Sequence, residues 1–265
     1  MRLLLVLVLL LGLGTGPAHA ERHGAASTGA PTRVPTPLPV GTDVDYQLGG
    51  PADPAPGVGI VVRDRTEEPA AGRYNVCYVN GFQTQPDARR YWLDRRDLLL
   101  RDHAGRLVED EAWGEWLLDI RTPARRERLA RIVGRWTAGC AHDGFDAVEY
   151  DNLDSFSRSH GLVRARHAKA FARLLTARAH DVGLAAGQKN WATWDGTDAG
   201  FDFAVAEECG RYDECGRYVH AYGDQVLAVE YRARDFAATC QGYGDRLAVV
   251  LRDLDLTADG VRRWC

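Results

Sequence analysis

The chain has 265 residues, of which 45% are hydrophobic and 26% are charged, as in an ordinary globular protein with one domain or two small ones. Thirty-three basic residues against 37 acidic residues leave a net charge of −4, which offers no basic excess for binding a nucleic-acid backbone. Seven Trp, ten Tyr and seven Phe can anchor a core, and they exclude a chain that is disordered throughout.

Residues 1–20 have the pattern of a secretory signal peptide. One positive charge precedes an apolar run, and the segment closes on the small-x-small sequence AHA, so cleavage is expected after Ala20. A membrane anchor needs about 20 apolar residues, whereas glycines interrupt this run earlier. We therefore expect a secreted, extracellular protein with no membrane partner after cleavage.

Residues 21–41 are rich in Pro, Thr, Ala and Gly and show no periodicity, which is typical of a flexible linker. The folded domain is expected to occupy residues 42–265 as a monomer.

Six cysteines in an exported chain predict three disulfides, although the sequence alone permits 15 pairings. Cys209 and Cys215 are near enough in the chain to close a small loop, and Cys240 with the last residue, Cys265, would tie down the C-terminus. That choice leaves Cys77 with Cys140. The spacings do not form paired C-x-x-C knuckles, so no metal is expected.

Short β-rich runs recur along the chain and are separated by helical or loop segments. Residues 123–137 and 162–180 have apolar residues at helical spacing. Alternating strands and helices predict a (β/α)8 TIM barrel, somewhat irregular and stapled by disulfides. The alternative, an open doubly wound sheet, would need a Gly-rich first turn that residues 48–51 do not supply. The predicted strands are 44–48, 74–80, 115–120, 145–151, 183–189, 201–207, 225–231 and 246–252.

The link 190–200 is too short for a full helix. The link 81–114 is unusually long, and we expect it to form a lid or loop over one face of the barrel.

Most predicted strands are apolar until they end in polar or charged residues. Because the carboxyl ends of barrel strands meet around one pocket, these side chains are expected to converge there. The expected substrate-binding residues are Asp45, Tyr78, Asp119, Arg121, Glu149, Asn152, Asp154, Lys189, Asn190, Glu230 and Tyr231.

Residues two apart in a strand share a face, so Glu149 and Asp151 point the same way, with Asp151 nearer the mouth. Glu207 and Glu208 point to opposite faces. Two opposed carboxylates suit glycoside hydrolysis, in which one attacks the sugar and the other protonates the leaving oxygen. No H-E-x-x-H, G-x-S-x-G or phosphate-loop motif supports zinc, serine or phosphate chemistry, and no cofactor is expected.

Seven sequence runs, taken in order, resemble those of a known enzyme family. The chain resembles glycoside hydrolase family 114, the endo-α-1,4-polygalactosaminidase-like TIM-barrel proteins, over about residues 42–252. The runs that carry the resemblance, in order, are VDYQLGG (44–50), CYVNGF (77–82), EWLLDIR (115–121), GFDAVEYDNLDSF (144–156), GQKNWA (187–192), FDFAVAEECGRYDEC (201–215) and VEY (229–231).

The resemblance implies a secreted hydrolase that cleaves α-1,4-linked galactosamine polymers with a strand-four aspartate and a strand-six glutamate. Carried onto this sequence, Asp151 is the nucleophile, and the general acid/base falls within Glu207-Glu208, with Glu207 favoured. A retaining mechanism then predicts carboxyl groups about 5–5.5 Å apart. Residues 78–82 depart from the small Ser- or Gly-rich turn expected in this family, so a substrate subsite differs there.

Two alternatives stay open. A family-18 chitinase-like alignment places Leu153 where the catalytic glutamate belongs and predicts an inactive lectin-like barrel. A non-catalytic carbohydrate-binding barrel is also compatible, because binding and hydrolysis use the same residue types.

Overall fold

The computed structural model describes residues 34–265. The strands are β1 Asp43–Gln47, β2 Val58–Asp64, β3 Tyr74–Asn80, β4 Glu109–Asp110, β5 Glu115–Trp116, β6 Ala147–Asp151, β7 Ala185–Lys189, β8 Phe203–Glu207, β9 Val226–Glu230, β10 Ala248–Arg252 and β11 Arg262–Trp264. The helices are α1 Arg89–Leu93, α2 Pro123–Asp143, α3 Ala165–Asp181, α4 Cys215–Tyr222 and α5 Ala233–Tyr243. The predicted signal peptide, and the linker as far as residue 33, lie outside the described residues.

Eight parallel strands form the barrel in the order β1-β2-β3-β6-β7-β8-β9-β10, and β11 runs antiparallel beside β10. β10 lies next to β1, and Trp264 Nε1 of β11 donates a hydrogen bond of 2.7 Å to the Val44 carbonyl. The last strand therefore covers the seam between β1 and β10. The predicted irregular TIM barrel is confirmed.

One predicted barrel strand is wrong and one real strand escaped prediction. Within residues 115–120 only Glu115–Trp116 forms a strand, and it pairs antiparallel with β4 in a small hairpin outside the barrel. Leu117 and Leu118 are buried in the core and form only isolated antiparallel bridges, to Gln83 and Leu99. The prediction was wrong because a short apolar run looks the same in a barrel strand and in a packed irregular segment. The barrel strand that was not predicted is β2, which pairs in parallel with β1 and β3.

Alternation along each strand separates two cores. One set of side chains, including Tyr46, Val76 and Phe203, fills the barrel interior, and the opposite set packs against the helices. With both faces covered, the strands have the nearly continuous apolar sequences that were noted above. The polar exceptions on the inward face lie at the carboxyl ends, and they form the site described below.

The two long helices match the sequence pattern and have definite ends. Thr122 caps α2 by accepting from the Arg125 amide, Pro123 occupies its first turn, and Gly144 ends it with a φ of 101°. The link 190–200 contains only a 3-10 turn, as its length predicts. The long link 81–114 forms α1, short 3-10 turns and the first strand of the β4–β5 hairpin.

Three disulfides, Cys77–Cys140, Cys209–Cys215 and Cys240–Cys265, are the three expected pairs. The first joins β3 to α2, and the last fixes β11 to α5. At the other end of the described chain, Leu38 is buried and its amide donates 2.7 Å to Gln225 Oε1. Packing therefore begins slightly before residue 42. No helix within residues 34–265 is long and apolar enough to cross a membrane.

Candidate active site

The carboxyl ends of five neighbouring strands bring polar side chains together in the barrel mouth. Each of these residues continues the inward face of its strand, where Val76, Ala147, Ala185, Val205 and Val229 fill the interior below. The side chains that meet there are Tyr78 of β3, Glu149 and Asp151 of β6, Lys189 of β7, Glu207 of β8 and Tyr231 just after β9.

Lys189 is the central cation of this cluster. Its side chain is 2% exposed, and Nζ lies 2.9 Å from Glu149 Oε1, 3.5 Å from Glu207 Oε2 and 3.9 Å from Asp151 Oδ2. Nζ also donates 2.6 Å to the Tyr46 hydroxyl. Burial disfavours the ammonium, but the three carboxylates outweigh it and hold the pKa of Lys189 well above its usual value.

Asp151 is held in place and remains accessible. The Tyr78 hydroxyl donates 2.7 Å to Oδ2, and the Asn152 amide donates 2.6 Å to Oδ1. The side chain is 20% exposed, whereas Glu149 below it is fully buried. Asp151 is therefore the carboxylate of β6 that a ligand in the mouth can reach.

Glu207 approaches the same Lys189 ammonium as Asp151 and is 26% exposed. Its Oε2 accepts 2.9 Å from Asn190 Nδ2, and its Oε1 accepts from the Tyr231 hydroxyl. Asp151 Oδ2 and Glu207 Oε2 lie 3.9 Å and 3.5 Å from the same atom, Lys189 Nζ. The two oxygens are therefore at most 7.4 Å apart, the sum of these distances. Two accessible carboxylates this close match the arrangement that glycoside hydrolysis requires.

The family model of glycoside-hydrolase family GH114 matches residues 24–265, nearly the whole chain. The chain belongs to family GH114. It is therefore a glycoside hydrolase, as the sequence resemblance implies. Leu153, which the family-18 alignment placed at the catalytic position, is fully buried in the core.

Solved structures show the same fold at low sequence identity. Ega3 of Aspergillus fumigatus, solved in complex with galactosamine, has a TM-score of 0.72 and 21% identity, covering 89% of this chain and 100% of that chain. The glycoside hydrolase domain of PelA from Pseudomonas aeruginosa has a TM-score of 0.57 and 16% identity, covering 84% and 98%. No curated protein matches the chain.

Glu149 supports the site of this GH114 enzyme from beneath. Its Oε1 accepts 2.7 Å from the Tyr46 hydroxyl and 2.9 Å from Lys189. Burial raises the pKa of Glu149 to about 6, while Lys189 opposes that rise. The Glu149 carboxylate thus anchors Lys189 and does not face solvent.

Left-handed backbone follows three of the strands that line the mouth. Asn152, Asn190 and Glu208 have φ values of 65°, 54° and 53°, and they come directly after Asp151, Lys189 and Glu207. Non-glycine residues in this region are strained, and such strain concentrates at functional sites. The turn at Glu208 directs its carboxylate to Arg211, at 2.6 Å, so Glu207 alone of the glutamate pair joins the cluster.

Other predicted residues form the rim of the mouth. Asn190 orders Glu207, as described, and Asn152 Nδ2 donates 3.1 Å to Asn80 Oδ1. Asp154 is further out and pairs with Arg158 at 2.9 Å.

Four predicted binding residues are not brought into the cluster. Asp45 and Glu230 lie next to inward-facing tyrosines, so alternation turns them away: Asp45 meets Arg262 Nε at 3.3 Å, and Glu230 accepts 2.7 Å from the Gly210 amide. Asp119 and Arg121 belong to the segment that is not a barrel strand, and they pair with each other at 2.7 Å.

Sequence reasoning missed two side chains of the site. Tyr46 continues the inward face of β1 after Val44, so alternation could have identified it. Glu115 reaches the mouth from the β4–β5 hairpin, and its Oε2 accepts 2.9 Å from Asn80 Nδ2. No local pattern marks it, because its position depends on how the long link folds over the barrel.

One set of potential metal ligands occurs within the described residues, namely Cys209, Cys215 and Glu230. The two sulfurs are joined in a disulfide, so they are not available as the thiolates that a metal ion would need. This cluster therefore does not fit a metal centre.

Proposed function

We propose that this enzyme cleaves α-1,4-linked galactosamine-containing polysaccharide, with Asp151 as nucleophile and Glu207 as general acid/base. The observation that carries the proposal is the approach of two accessible carboxylates to the one ammonium of Lys189 in the barrel mouth. Membership of GH114 and the fold shared with Ega3, whose structure contains galactosamine, support the substrate class.

The proposed reaction proceeds in two steps with retention of configuration. Asp151 attacks the anomeric carbon and forms an ester, while Glu207 gives its proton to the departing glycosidic oxygen. Glu207 then takes a proton from water, which attacks the same carbon and releases Asp151. The 7.4 Å limit includes the 5–5.5 Å separation of retaining enzymes and excludes the wider part of the inverting range.

Each neighbour has a part in this scheme. Lys189 compensates the charge of Asp151 and Glu207, and Tyr78 orients the nucleophile. Asn190 and Tyr231 fix the Glu207 carboxyl where the leaving oxygen would lie. These contacts position the reacting groups before the substrate binds.

The electrostatics of the mouth suit a cationic polymer. Glu149, Asp151 and Glu207 surround a single ammonium, and Glu115 adds a fourth carboxyl close by. Galactosamine units with free amines are cations at neutral pH, so this acidic mouth attracts them. We also propose that residues 1–20 export the enzyme, which would place it where extracellular polysaccharide occurs.

The direct test is a panel of polymers given to the purified enzyme: α-1,4-linked galactosamine, its N-acetylated form, and chitin. New reducing ends are expected from the galactosamine-containing polymer and not from chitin, with Asp151→Asn inactive. Binding of the polymer without release of reducing ends would replace this proposal with a carbohydrate-binding function. In the same reaction, proton NMR should show the α-anomer first, whereas a β-anomer would exclude the retaining scheme.

A further inference from the structure

Glu115 is a buried carboxylate beside the nucleophile that has no cation within salt-bridge distance in the described chain. It is 8% exposed, and its Oε2 accepts 2.9 Å from Asn80 and 3.4 Å from Asn152. Its other oxygen, Oε1, accepts no hydrogen bond from the described residues. A buried carboxylate is ordinarily paired with a cation, so this one lacks its usual partner.

Neighbouring acids in the same region do have their cations. Asp110, on the same hairpin, lies 2.8 Å from Arg158 Nε, and Glu149 lies 2.9 Å from Lys189. Arg158 is thus already engaged, and it does not pair with Glu115. Among the described residues, no cation within 4 Å therefore offsets the charge that Glu115 carries when it is ionised.

Glu115 lies close to the proposed nucleophile, Asp151, whose charge acts on it. Asn80, which bonds Glu115, is the register partner of Asp151 across the β3–β6 pair, and Asn152 follows Asp151 directly. The substituent on C2 of a sugar is one bond away from the carbon that Asp151 would attack. Glu115 is therefore near enough to the proposed nucleophile to receive the C2 group of a sugar whose ring is oriented toward the β4–β5 hairpin.

We propose that Glu115 receives the C2 ammonium of the sugar bound at Asp151 and thereby selects free galactosamine units over N-acetylated ones. This inference rests on the proposed function and names the residue that recognises the amine. The ammonium donates to Glu115 Oε1 and supplies the absent cation. An N-acetyl group is neutral, so it does not offer the charge that pairs with the Glu115 carboxylate.

The electrostatic environment of Glu115 agrees with this assignment. Burial, followed by the charges of Asp151 and Asp110, raises the pKa of Glu115 to about 7 against the lowering effect of Asn80 and Arg158. The free enzyme thus holds this carboxyl partly protonated at neutral pH. A bound ammonium stabilises the ionised form, whereas a neutral substituent does not.

The test is the binding of three monosaccharides, galactosamine, N-acetylgalactosamine and galactose, measured by calorimetry at neutral pH. Wild type is expected to bind galactosamine at least tenfold more tightly than galactose. Glu115→Gln should remove that preference, and Glu115→Asp, which keeps the charge, should retain its direction. Glu111→Gln is the matched control, because it removes an exposed acid from the same hairpin.

Two results would overturn the inference: a wild type that binds the three sugars alike, or a Glu115→Gln variant that keeps the full preference while its thermal melt remains cooperative. If Glu115→Gln does not fold, loss of the preference in Glu115→Asp counts against the assignment. Failure of the proposed function is a separate result, namely binding of galactosamine by an enzyme that releases no reducing ends from the polymer.

Discussion

At the scale of single residues, Lys189 determines the charge balance of the mouth. It compensates Glu149, Asp151 and Glu207 together, and its nearest partner is fully buried. Removing one member of a buried ion pair leaves an uncompensated charge and costs about 3–5 kcal/mol. Lys189→Met should lower the free energy of unfolding by that amount, as measured by denaturant titration.

The other lysine of the chain provides the control for that variant. Lys169 is half-buried, with Nζ 5.2 Å from the ring centre of Trp194, a contact worth about 1 kcal/mol. Lys169→Met should therefore cost much less than Lys189→Met. Equal losses in the two variants would contradict the importance assigned to the buried cluster.

Glu115 predicts a pH dependence of stability. Its pKa rises from 4.5 to about 7 on folding, so between these values the native chain holds a proton that the unfolded chain has lost. The free energy of unfolding then falls as pH rises through this window, by roughly 2–3 kcal/mol for this group. The Glu115→Gln variant has no such group and does not lose this free energy. Its melting temperature should therefore rise relative to that of wild type between pH 4.5 and pH 8.

The exposed Glu111 again provides a comparison. Glu111→Gln should follow the wild-type pH profile, because the side chain is solvated in both states. A Glu115→Gln profile parallel to that of wild type would show that the carboxyl is not desolvated by folding.

The sequence predicts those site residues that lie on barrel strands, because strand alternation determines which way their side chains point. It does not predict the site residue that lies on the long link between strands. Asp151, Lys189 and Glu207 continue the inward faces of β6, β7 and β8, and a period of two with a polar last residue marks them. The structure places Glu115 at the mouth through the fold of the β4–β5 hairpin, for which the sequence has no local signal.

At the scale of elements, the same limit explains the error in the strand count. β1 and β2 are parallel neighbours joined by residues 48–57 without a helix, so the expected alternation of strand and helix does not hold there. Residues 115–120 have the apolar character of a strand because they are buried, although none of them belongs to a barrel strand. The apolar sequence therefore shows that a segment is buried, but it does not show whether its backbone forms a barrel strand.

The disulfides give a prediction at this scale. In the loop-entropy account, bridges that span 63, 25 and 6 residues stabilise by about 4, 3.5 and 2 kcal/mol. Replacing Cys77 and Cys140 together by alanine should therefore cost about 2 kcal/mol more than replacing Cys209 and Cys215. Denaturant unfolding of the two double variants measures this difference, and the reverse order would refute the entropic ranking.

At the scale of the whole molecule, the predicted signal peptide is tested by export. The full chain expressed in a secreting host should appear in the medium with Glu21 as its first residue, as N-terminal sequencing would show. A chain without residues 2–20 should stay inside the cell. Retention of the full chain with its first 20 residues intact would contradict the proposed export.

The closed barrel places side chains from distant parts of the sequence around one mouth. β11 covers the β1–β10 seam, the hairpin carries Glu115 over the β3–β6 pair, and five strand ends surround Lys189. Eight strands around one interior thus convert dispersed strand-end residues into a single acidic site.

The central claim, that Asp151 and Glu207 form the catalytic pair, is tested most directly by reducing-end release from α-1,4-linked galactosamine polymer. Glu207→Gln should lower the rate by roughly 10²- to 10⁴-fold, and Asp151→Asn should abolish it. Glu208→Gln, which changes the neighbouring carboxylate that pairs with Arg211, should keep a rate close to that of wild type. Wild-type activity in Glu207→Gln, or its loss in Glu208→Gln alone, would contradict the account.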